Sequence, residues 1–438
     1  MDISIKPGKA SGRVAAPPSK SMAHRYLICA ALAGGKSKVS NLAYSKDIEA
    51  TLDCIEGIKA WTVRRETEVE VRGIGEAAGN EPIGVLRSIG ESDGNKHDAK
   101  ADNIGGSAGN DRGTDIIDLN VKESGSTLRF FVPIVLALGM KVRFNGSRTL
   151  LTRPLSVYED ICREQGIDFI RTEDSLTVNG KLEECDYSVP GDISSQFITG
   201  LLYALAIMGG DKRVHLTTEV ASRSYIDLTI EAMGEFGVTV RWEDERTLYI
   251  EKTEGFTARD IRVEGDYSNA AFLEALNVIG GDVIVEDLKE HSLQGDRVYR
   301  EYLRKLKEGK AELDITDCPD LGPVLMGVAA ACNGGVIKGT GRLKIKESDR
   351  GTVMCERLSH FGVKTEQYED SIVIHKCDLH APEQPLDGAN DHRIVMTLAT
   401  LMTITGGTIE GVEAVEKSYP DYPAVLKGLG IVIEMINS

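Results

Sequence analysis

The sequence repeats one pattern six times, and this periodicity restricts the chain to a fold built from six similar units. Each copy contains a glycine pair, in one case a glycine followed by methionine, and a further glycine roughly 22 to 28 residues later. The pairs are Gly34-Gly35, Gly139-Met140, Gly209-Gly210, Gly280-Gly281, Gly334-Gly335 and Gly406-Gly407. The later glycines are Gly57, Gly166, Gly237, Gly309, Gly362 and Gly430. Six copies in phase indicate structural repeats rather than unrelated turns.

A strongly apolar stretch that opens with small polar residues precedes each pair, as in SSQFITGLLYALAIMGG. Ser, Asp and Asn at such openings are typical helix N-caps, and the apolar bodies indicate helices buried on most sides. A β-branched stretch follows each pair, for example Val283-Ile284-Val285, and then a second stretch with helical apolar spacing. The later glycine fits the end of this second helix. The pattern predicts an α/β (α+β) chain of helix, strand, helix, strand units with additional strands.

One segment does not follow the repeat. Residues 75–113 are rich in Gly, Asn, Asp and Ser and have no apolar periodicity. The copies of the repeat start at intervals of roughly 70 residues, and this segment accounts for the greater length of the first interval. We predict a mobile surface insertion that is dispensable for chemistry.

Length and charge exclude several classes of protein. A chain of 438 residues exceeds one ordinary core and predicts at least two domains. The formal net charge of -17 disfavours nucleic acid and anionic membranes as partners. Eight cysteines without a Cys-x-x-Cys pair or zinc-ligand spacing predict free thiols in a reducing compartment and no metal. The N-terminus has no apolar signal core and no segment has membrane-spanning length, so we expect a cytoplasmic protein.

Cationic and small polar side chains recur where the predicted helices begin. Examples are Lys20 and Arg25 in the first apolar helix, Ser194 and Ser195 in the third, and Arg393 in the sixth. Helix N-termini carry partial positive charge and unpaired N–H groups, so these residue types make anion sites there. Caps and solvated surface charges are the alternative interpretation. If the helix starts face one cleft, the pattern predicts a site for small polyanions.

Seven motifs carry a more specific signal, and they occur in a fixed order. They are Pro18-Ser19-Lys20-Ser21 with His24-Arg25, Ser124-Gly125-Ser126-Thr127 with Arg129, Arg153-Pro154, Ser194-Ser195-Gln196-Phe197, Lys346-Glu347-Ser348-Asp349-Arg350, Asn390-Asp391-His392-Arg393, and Lys417 in KSYPDY. Together they resemble the signatures of the 3-phosphoshikimate 1-carboxyvinyltransferases, also called EPSP synthases. The resemblance covers nearly the whole chain outside the insertion.

The resemblance implies a two-domain enolpyruvyl transferase fold with six βαβαββ-type units, three in each domain. One domain would comprise residues 1–18 plus 265–438, and the other residues 19–264, including the insertion. The chain would cross between them near Pro17-Pro18-Ser19 and near Glu264-Gly265-Asp266. Family members are often monomers, and a water-excluding site favours closure of the two domains.

The resemblance also implies an activity: transfer of the enolpyruvyl group of phosphoenolpyruvate to the 5-hydroxyl of shikimate 3-phosphate in aromatic amino acid biosynthesis. Phosphate would leave through addition, a tetrahedral intermediate and elimination, without a cofactor. Catalytic roles would fall to Asp320, Glu347 and Lys20, with His392 a weaker candidate. The shikimate 3-phosphate contacts would be Lys20, Ser21, Arg25, Ser194, Ser195, Gln196, Ser222, Tyr225, Asp320 and Lys346. The phosphoenolpyruvate contacts would be Lys20, Gly125, Arg153, Gln196, Arg350, Arg393 and Lys417.

Two positions depart from the pattern of some relatives, which have Asn where this chain has Glu123 and Arg342. Both departures fall beside predicted substrate contacts. Two other functions are considered. A UDP-N-acetylglucosamine enolpyruvyl transferase would have a reactive cysteine in a loop of the Gly-Cys-x-x-Gly type, and no cysteine here has that setting. A non-catalytic anion-binding paralogue would be expected to lose Lys20, Glu347 or Arg350, and all three are present.

Overall fold

A computed structural model describes residues 1–77 and 116–436 of the chain. Most of the predicted insertion, residues 78–113, lies outside the described residues. Where the described part reaches this segment, it forms the short helix Ile74–Ala77.

Each of the six units contributes two helices, as the repeat predicts. The apolar helices that precede the glycine pairs are Lys20–Leu32, Gly125–Ala137, Ser195–Ile207, Tyr267–Val278, Gly322–Ala331 and His392–Thr405. The second helices are Lys46–Gly57, Ser156–Glu164, Arg223–Glu235, Tyr299–Glu308, Arg350–Ser359 and Tyr422–Gly428. Shorter helical segments are Arg148–Thr152, Gly295–Val298, Pro319–Leu321, Thr340–Ile345 and Val412–Lys417.

Side-chain caps fix where the apolar helices begin. Ser19, Ser124, Ser194, Asp266 and Asp391 each precede one of them and accept a hydrogen bond from a backbone N–H of its first turn. These bonds satisfy amide groups that would otherwise lack partners. The small polar openings of the sequence therefore mark real helix starts.

Five four-stranded sheets share one topology: a parallel pair, then two antiparallel neighbours. In each of four sheets the parallel strands flank an apolar helix, as the crossover connection of a βαβ unit requires. In spatial order the sheets are Ile117–Lys122, Val142–Gly146, Ser175–Asn179, Asp168–Arg171; Tyr187–Val189, Lys212–Leu216, Thr247–Ile250, Val240–Trp242; Ala311–Asp314, Gly335–Lys338, Ser371–Ile374, Thr365–Gln367; Ile261–Arg262, Lys36–Ser40, Glu68–Arg72, Trp61–Arg64; and Leu386–Asp387, Gly407–Glu410, Asp2–Ile5, Ile433–Ile436.

The fourth unit is shorter than the predicted βαβαββ pattern. Its sheet pairs only Ser11–Ala15 with Asp282–Glu286 in the described part of the chain. After its second helix, Tyr299–Glu308, the chain enters Ala311–Asp314, a strand of the next sheet. A further two-stranded sheet pairs Ala33–Gly34 with Phe256–Thr257.

Buried apolar side chains form two separate clusters. One contains residues between Met22 and Val263, and we call the part of the molecule around it the first lobe. The other contains residues from Ile3 to Ala16 and from Tyr267 to Ile433, and we call its surroundings the second lobe. The clusters are compatible with the predicted domain boundaries, which remain a prediction.

The two predicted crossing segments lie side by side between these clusters. The Ser19 N–H donates to the Glu264 carbonyl at 2.8 Å, and the Asp266 N–H donates to the Pro17 carbonyl at 2.7 Å. A Cβ atom on Gly265 would lie 2.4 Å from the Asp287 carbonyl oxygen, so only glycine fits there. The connection between the lobes is therefore a hydrogen-bonded pair of antiparallel segments.

Two further predictions concern the whole chain. All eight cysteines lie in the described ranges and have free thiols, and Cys29, Cys54, Cys162 and Cys318 are buried. In the same ranges, no helix combines the length and apolar character needed to span a membrane.

The close packing of two first-lobe helices can be tested at Gly200. A Cβ atom there would lie 2.4 Å from the Tyr158 hydroxyl and 2.6 Å from the Arg129 carbonyl oxygen. Gly200→Ala should therefore overpack the helix pair, cost about 1–3 kcal/mol and lower the thermal unfolding midpoint by about 2–10 °C.

The matched control is Gly234→Ala, also within a helix, where the new methyl group meets nothing within 4 Å. That change should raise the midpoint slightly, because alanine is the better helix former. Equal midpoints for the two variants would contradict the packing argument.

Candidate functional site

A cleft between the lobes collects all of the predicted site residues except three. From the first lobe it is lined by Lys20, Ser21, Arg25, Gly125, Arg153, Ser194, Ser195, Gln196, Ser222 and Tyr225. From the second lobe it is lined by Asp320, Lys346 and Glu347. Arg350, Arg393 and Lys417 lie behind this lining and contact it through ion pairs or backbone groups.

Helix starts deliver several of these side chains. Lys20, Gly125 and Ser195 are the first residues of three first-lobe helices, and Ser222 immediately precedes a fourth. Because all four line the same cleft, the partial positive charges of their N-termini converge on it. The sequence analysis required the helix starts to face one cleft, and these four helix starts do so.

Two guanidinium groups bracket Gly125. A Cβ atom on this residue would lie 3.1 Å from Arg129 Nη1 and 3.2 Å from Arg153 Nη1. Arg129 donates to Gln196 Oε1 at 2.7 Å, and Gln196 donates to the Ser126 hydroxyl at 2.8 Å. Burial and the charge of Arg153 lower the pKa of Arg129 to about 10. Cationic charge is thus concentrated beside a backbone without a side chain, an arrangement suited to a carboxylate or phosphate.

The first-lobe arginines of the cleft have no carboxylate partner. Arg25 donates to the Ser21 and Tyr225 carbonyls, at 2.7 and 2.8 Å, and to the Thr229 hydroxyl at 2.9 Å. No ion pair involves Arg25, Arg129 or Arg153 among residues 1–77 and 116–436. These three charges remain available to an anionic ligand.

The second lobe neutralises its cations internally. Arg350, only 1% exposed, contacts Asp320 at 2.9 Å, Glu347 at 2.6 Å and Asp391 at 2.8 Å. Asp320 also pairs with Lys346 at 3.1 Å and with Arg393 at 2.8 Å. This network fixes the Asp320 and Glu347 carboxylates at the cleft wall.

The same network of ion pairs determines whether the carboxyl groups of Asp320 and Glu347 are protonated. Burial raises the pKa of Asp320, but Arg393, Lys346 and Arg350 outweigh burial and hold it well below its ordinary value. For Glu347, burial is likewise outweighed by Arg350 and Arg153, and its pKa also lies well below the ordinary value. Both carboxylates are therefore ionised at neutral pH, so they are suited to accept rather than donate protons.

Lysines connect the lobes at one end of the cleft. Lys20 Nζ donates to Asp47 Oδ2 at 2.8 Å and to the Lys417 carbonyl at 3.3 Å. Lys417 Nζ donates to the Asn390 carbonyl at 2.6 Å and pairs with Glu123 at 2.5 Å. Glu123, one of the two departures from the family pattern, therefore forms an ion pair with the Lys417 ammonium.

A smaller polar cavity adjoins the cleft and is lined in part by Lys20, Asp320 and Arg393. The Tyr225 hydroxyl lies 3.1 Å from Asp296 Oδ2 and 3.3 Å from Asp320 Oδ2. Burial and the charge of Asp320 raise the pKa of Asp296 to about 7. Asp296 Oδ1 and Arg393 Nη1 are buried without a partner in the described part of the chain.

Sequence reasoning missed two roles. Asp391 is recognisable as a helix cap, but its side chain also pairs with Arg350, 41 residues earlier, which nothing local signals. Asp47, in the first turn of the helix Lys46–Gly57, holds the Lys20 ammonium, a contact across 27 residues that its local sequence does not signal. The two histidines of the motifs, His24 and His392, are buried, and desolvation lowers their pKa well below the ordinary value, so both are neutral at pH 7.

No cluster of three or more His, Cys, Asp or Glu side chains in the described ranges is arranged to hold a metal ion. The expected absence of a metal remains a prediction.

Comparison with known proteins places the chain in a family. A family model described as EPSP synthase (3-phosphoshikimate 1-carboxyvinyltransferase) matches residues 5–92 and 80–426. The 3-phosphoshikimate 1-carboxyvinyltransferase of Clostridium kluyveri is 35% identical, over 98% of this chain and 97% of the relative. That of Clostridium beijerinckii is 37% identical, over 100% and 99%.

Solved structures agree on the fold. The EPSP synthase from Acinetobacter baumannii has a TM-score of 0.72 at 21% identity, covering 99% of this chain and 100% of that chain. The enolpyruvyl transferase NikO from Streptomyces tendae has a TM-score of 0.70 at 12% identity, covering 100% and 99%. The predicted enolpyruvyl transferase fold is confirmed. With relatives at 35% and 37% identity along almost their whole length, the chain belongs to the EPSP synthase (3-phosphoshikimate 1-carboxyvinyltransferase) family.

Proposed function

We propose that this protein transfers the enolpyruvyl group of phosphoenolpyruvate to the 5-hydroxyl of shikimate 3-phosphate and releases phosphate. Family membership supports this reaction over that of a UDP-N-acetylglucosamine enolpyruvyl transferase. The observation that carries it is the opposition of unpaired arginines on the first lobe to ionised carboxylates on the second. Both substrates are polyanions, and both need cationic contacts close to a proton acceptor.

The phosphoenolpyruvate contacts are proposed to be Lys20, Gly125, Arg153, Gln196, Arg350, Arg393 and Lys417. The Arg153 guanidinium has no ion pair among the described residues, and the missing side chain at Gly125 leaves room for a ligand beside it. Arg350 and Arg393 already pair with carboxylates, so they act by sharing their N–H donors between those groups and the substrate. Lys417 becomes available when its contact with Glu123 is exchanged for one with the substrate.

The shikimate 3-phosphate contacts are proposed to be Lys20, Ser21, Arg25, Ser194, Ser195, Gln196, Ser222, Tyr225, Asp320 and Lys346. Hydroxyl groups at helix starts suit the phosphate, because each adds a donor to the N–H groups already there. Asp320 and Lys346 form an ion pair at the cleft wall that suits the ring hydroxyls, since it offers one acceptor and one donor.

The proton transfers are assigned from charge. Carbon 3 of phosphoenolpyruvate must gain a proton while the 5-hydroxyl attacks carbon 2 and loses one. Ionised Asp320 and Glu347 are suited to accept protons, and the Lys20 ammonium is suited to donate one. Elimination then expels phosphate from the tetrahedral intermediate and removes a proton from the new methyl group.

Closure of the cleft is part of the proposal. The lobes are proposed to be two domains, residues 19–264 and residues 1–18 plus 265–438, that approach each other around the substrates. Contacts such as Lys417 with Glu123 and Tyr225 with Asp296 support this, because they join the lobes beside the cleft. The monomeric state and the cytoplasmic location remain predictions.

The proposal is tested by mixing the purified protein with phosphoenolpyruvate and shikimate 3-phosphate and measuring phosphate release. Release that requires both substrates is expected. A protein that binds the substrates but releases no phosphate would be the non-catalytic paralogue.

Lys20 provides the first variant test. Lys20→Ala should lower kcat/KM by about 100-fold or more, because the change removes both a proposed proton donor and a charge facing both substrates. The fold should persist, since Lys20 is partly exposed and has one carboxylate partner. The matched control is Lys46→Ala, an exposed lysine paired with Glu416 and absent from the cleft lining, which should keep near-normal turnover. Equal activity of the two variants would contradict the assignment.

Asp296 provides a test that depends on pH. Its folded pKa of about 7 exceeds its ordinary value of 3.8, so the folded state binds more protons than the unfolded state between these values. The contribution of Asp296 to the free energy of unfolding should therefore fall as pH rises from about 4 to about 7, by at most roughly 1.4 kcal/mol per pH unit.

Asp296→Asn should remove this loss, so that the variant gains thermal stability over the parent at pH 8 and gains less at pH 5. The control is Asp282→Asn at an exposed strand position in the same lobe, which should show no such difference between pH values. A constant offset of the Asp296 variant at both pH values would refute the titration.

A further inference from the structure

Asp296 is a buried carboxyl group that lies beside the cleft and lines the smaller cavity next to it. It belongs to the helical turn Gly295–Val298 of the second lobe. Its Oδ2 contacts the Tyr225 hydroxyl of the first lobe, and its Oδ1 is buried without a partner in the described part of the chain. A buried carboxylate without a cation is poorly compensated, so this group favours the uptake of a proton.

Two features hold the turn that carries Asp296 against the first lobe. The Gln294 amide donates, at 2.6 and 2.8 Å, to two acceptors in the connection between the lobes. A Cβ atom on Gly295 would lie 2.8 Å from the Cβ of Ser224, the residue before Tyr225, so the backbones approach closely there. Asp296 is therefore fixed next to the tyrosine.

The Tyr225 hydroxyl lies between two carboxyl groups. It is 3.1 Å from Asp296 Oδ2 and 3.3 Å from Asp320 Oδ2. Burial and the charges of these two groups raise the pKa of Tyr225 well above its ordinary value, so the hydroxyl keeps its proton at neutral pH. One hydroxyl proton serves one acceptor, so both contacts are hydrogen bonds only when one carboxyl group is protonated. The cluster is therefore built to hold one additional proton.

The surroundings of the two carboxyl groups decide which of them holds that proton. Asp320 pairs with three cations, whereas Asp296 pairs with none within residues 1–77 and 116–436. Burial and the charge of Asp320 also raise the pKa of Asp296 to about 7. A proton that reaches Asp320 is therefore stabilised when it passes on to Asp296. The titratable and charged groups that face Asp296 from neighbouring elements are Tyr225, Asp320, Arg393, Asp266, Cys318 and Lys20.

We propose that Asp296 is the final acceptor of the ring hydroxyl proton, through a relay in which Tyr225 joins it to Asp320. This inference rests on the proposed function and deepens it. When the 5-hydroxyl oxygen attacks carbon 2, its O–H bond breaks and the proton goes to Asp320. Asp320 gives a proton to the Tyr225 oxygen while the tyrosine's own proton passes to Asp296. The reverse transfer protonates the departing phosphate, which returns all three groups to their starting state.

Three variants of the full chain test the relay: Asp296→Asn, Tyr225→Phe and the double variant. Phosphate release is measured with both substrates at saturation. Each single change should lower kcat about 10- to 100-fold, because the proton then stays on Asp320. The double variant should lose less than about threefold beyond either single variant, since both changes break one path. Asp282→Asn and Tyr368→Phe, at exposed positions, are the matched controls and should keep the parental kcat.

The pH profile separates the relay from a structural role. Asp296 accepts a proton only when it is ionised, so the parental kcat should fall as pH drops below about 7, by at most about tenfold per unit. Both single variants should lack this decline between about pH 6 and about pH 8. Asp296→Asn should change KM for phosphoenolpyruvate by less than about threefold, because Asp296 lies outside the lining of the cleft.

Three results would overturn the inference: losses that multiply in the double variant, a parental kcat for Asp296→Asn, or a reduced kcat with the parental pH profile. Thermal unfolding is measured for every variant. If an asparagine variant does not fold, the kcat and pH profile of Tyr225→Phe decide the question, because that change alone disconnects Asp296.

Failure of the proposed function gives a different result. A parent protein that releases no phosphate with both substrates overturns the activity and the relay together. An active parent whose two single variants lose activity independently overturns the relay alone.

Discussion

The burial of Arg350 against three carboxylates is the interaction on which the rest of the cleft depends. Asp320, Glu347 and Asp391 come from three different parts of the second lobe and converge on one guanidinium that is 1% exposed. None of these charges could be buried alone, because desolvation of an unpaired ion costs several kcal/mol. Arg350 therefore holds this part of the second lobe together, and its removal would leave Glu347 and Asp391 without a cationic partner in the described structure.

This arrangement makes the two lobes electrostatically different. First-lobe arginines such as Arg25 and Arg153 bond to neutral groups or lack partners in the described structure, so an anion can approach them without displacing a carboxylate. The second lobe presents mostly balanced pairs, and its lysine at position 417 is held by Glu123 of the other lobe. Binding of phosphoenolpyruvate at Lys417, as proposed, must compete with this contact. Affinity is therefore set by the exchange of partners as much as by the number of positive charges.

The sequence predicts helices better than it predicts partners. The six apolar helices and five of their caps follow from local patterns, because capping involves residues only two or three positions apart. The interpretation of the later glycines holds for Gly166, Gly237, Gly362 and Gly430, which have positive φ. Gly309 and Gly57 also mark the ends of their helices, as the C-cap and the last residue, but without the left-handed conformation, since Gly309 is extended at φ 177°. The site residues are recognisable as types, whereas pairs such as Arg342 with Ser222, 120 residues apart, require the folded chain.

The N-terminal strand Asp2–Ile5 pairs with Gly407–Glu410 and Ile433–Ile436, at the opposite end of the chain. The first lobe, in contrast, acquires its last strand when Ile261–Arg262 pairs with Lys36–Ser40. At roughly 5–20 residues per second, a ribosome needs tens of seconds to make the intervening chain. During synthesis, a strand carrying Ile3 and Ile5 must therefore wait unpaired beside an already completed lobe. Its short length and the charged Asp2 and Lys6 that flank these isoleucines limit wrong pairing in that interval.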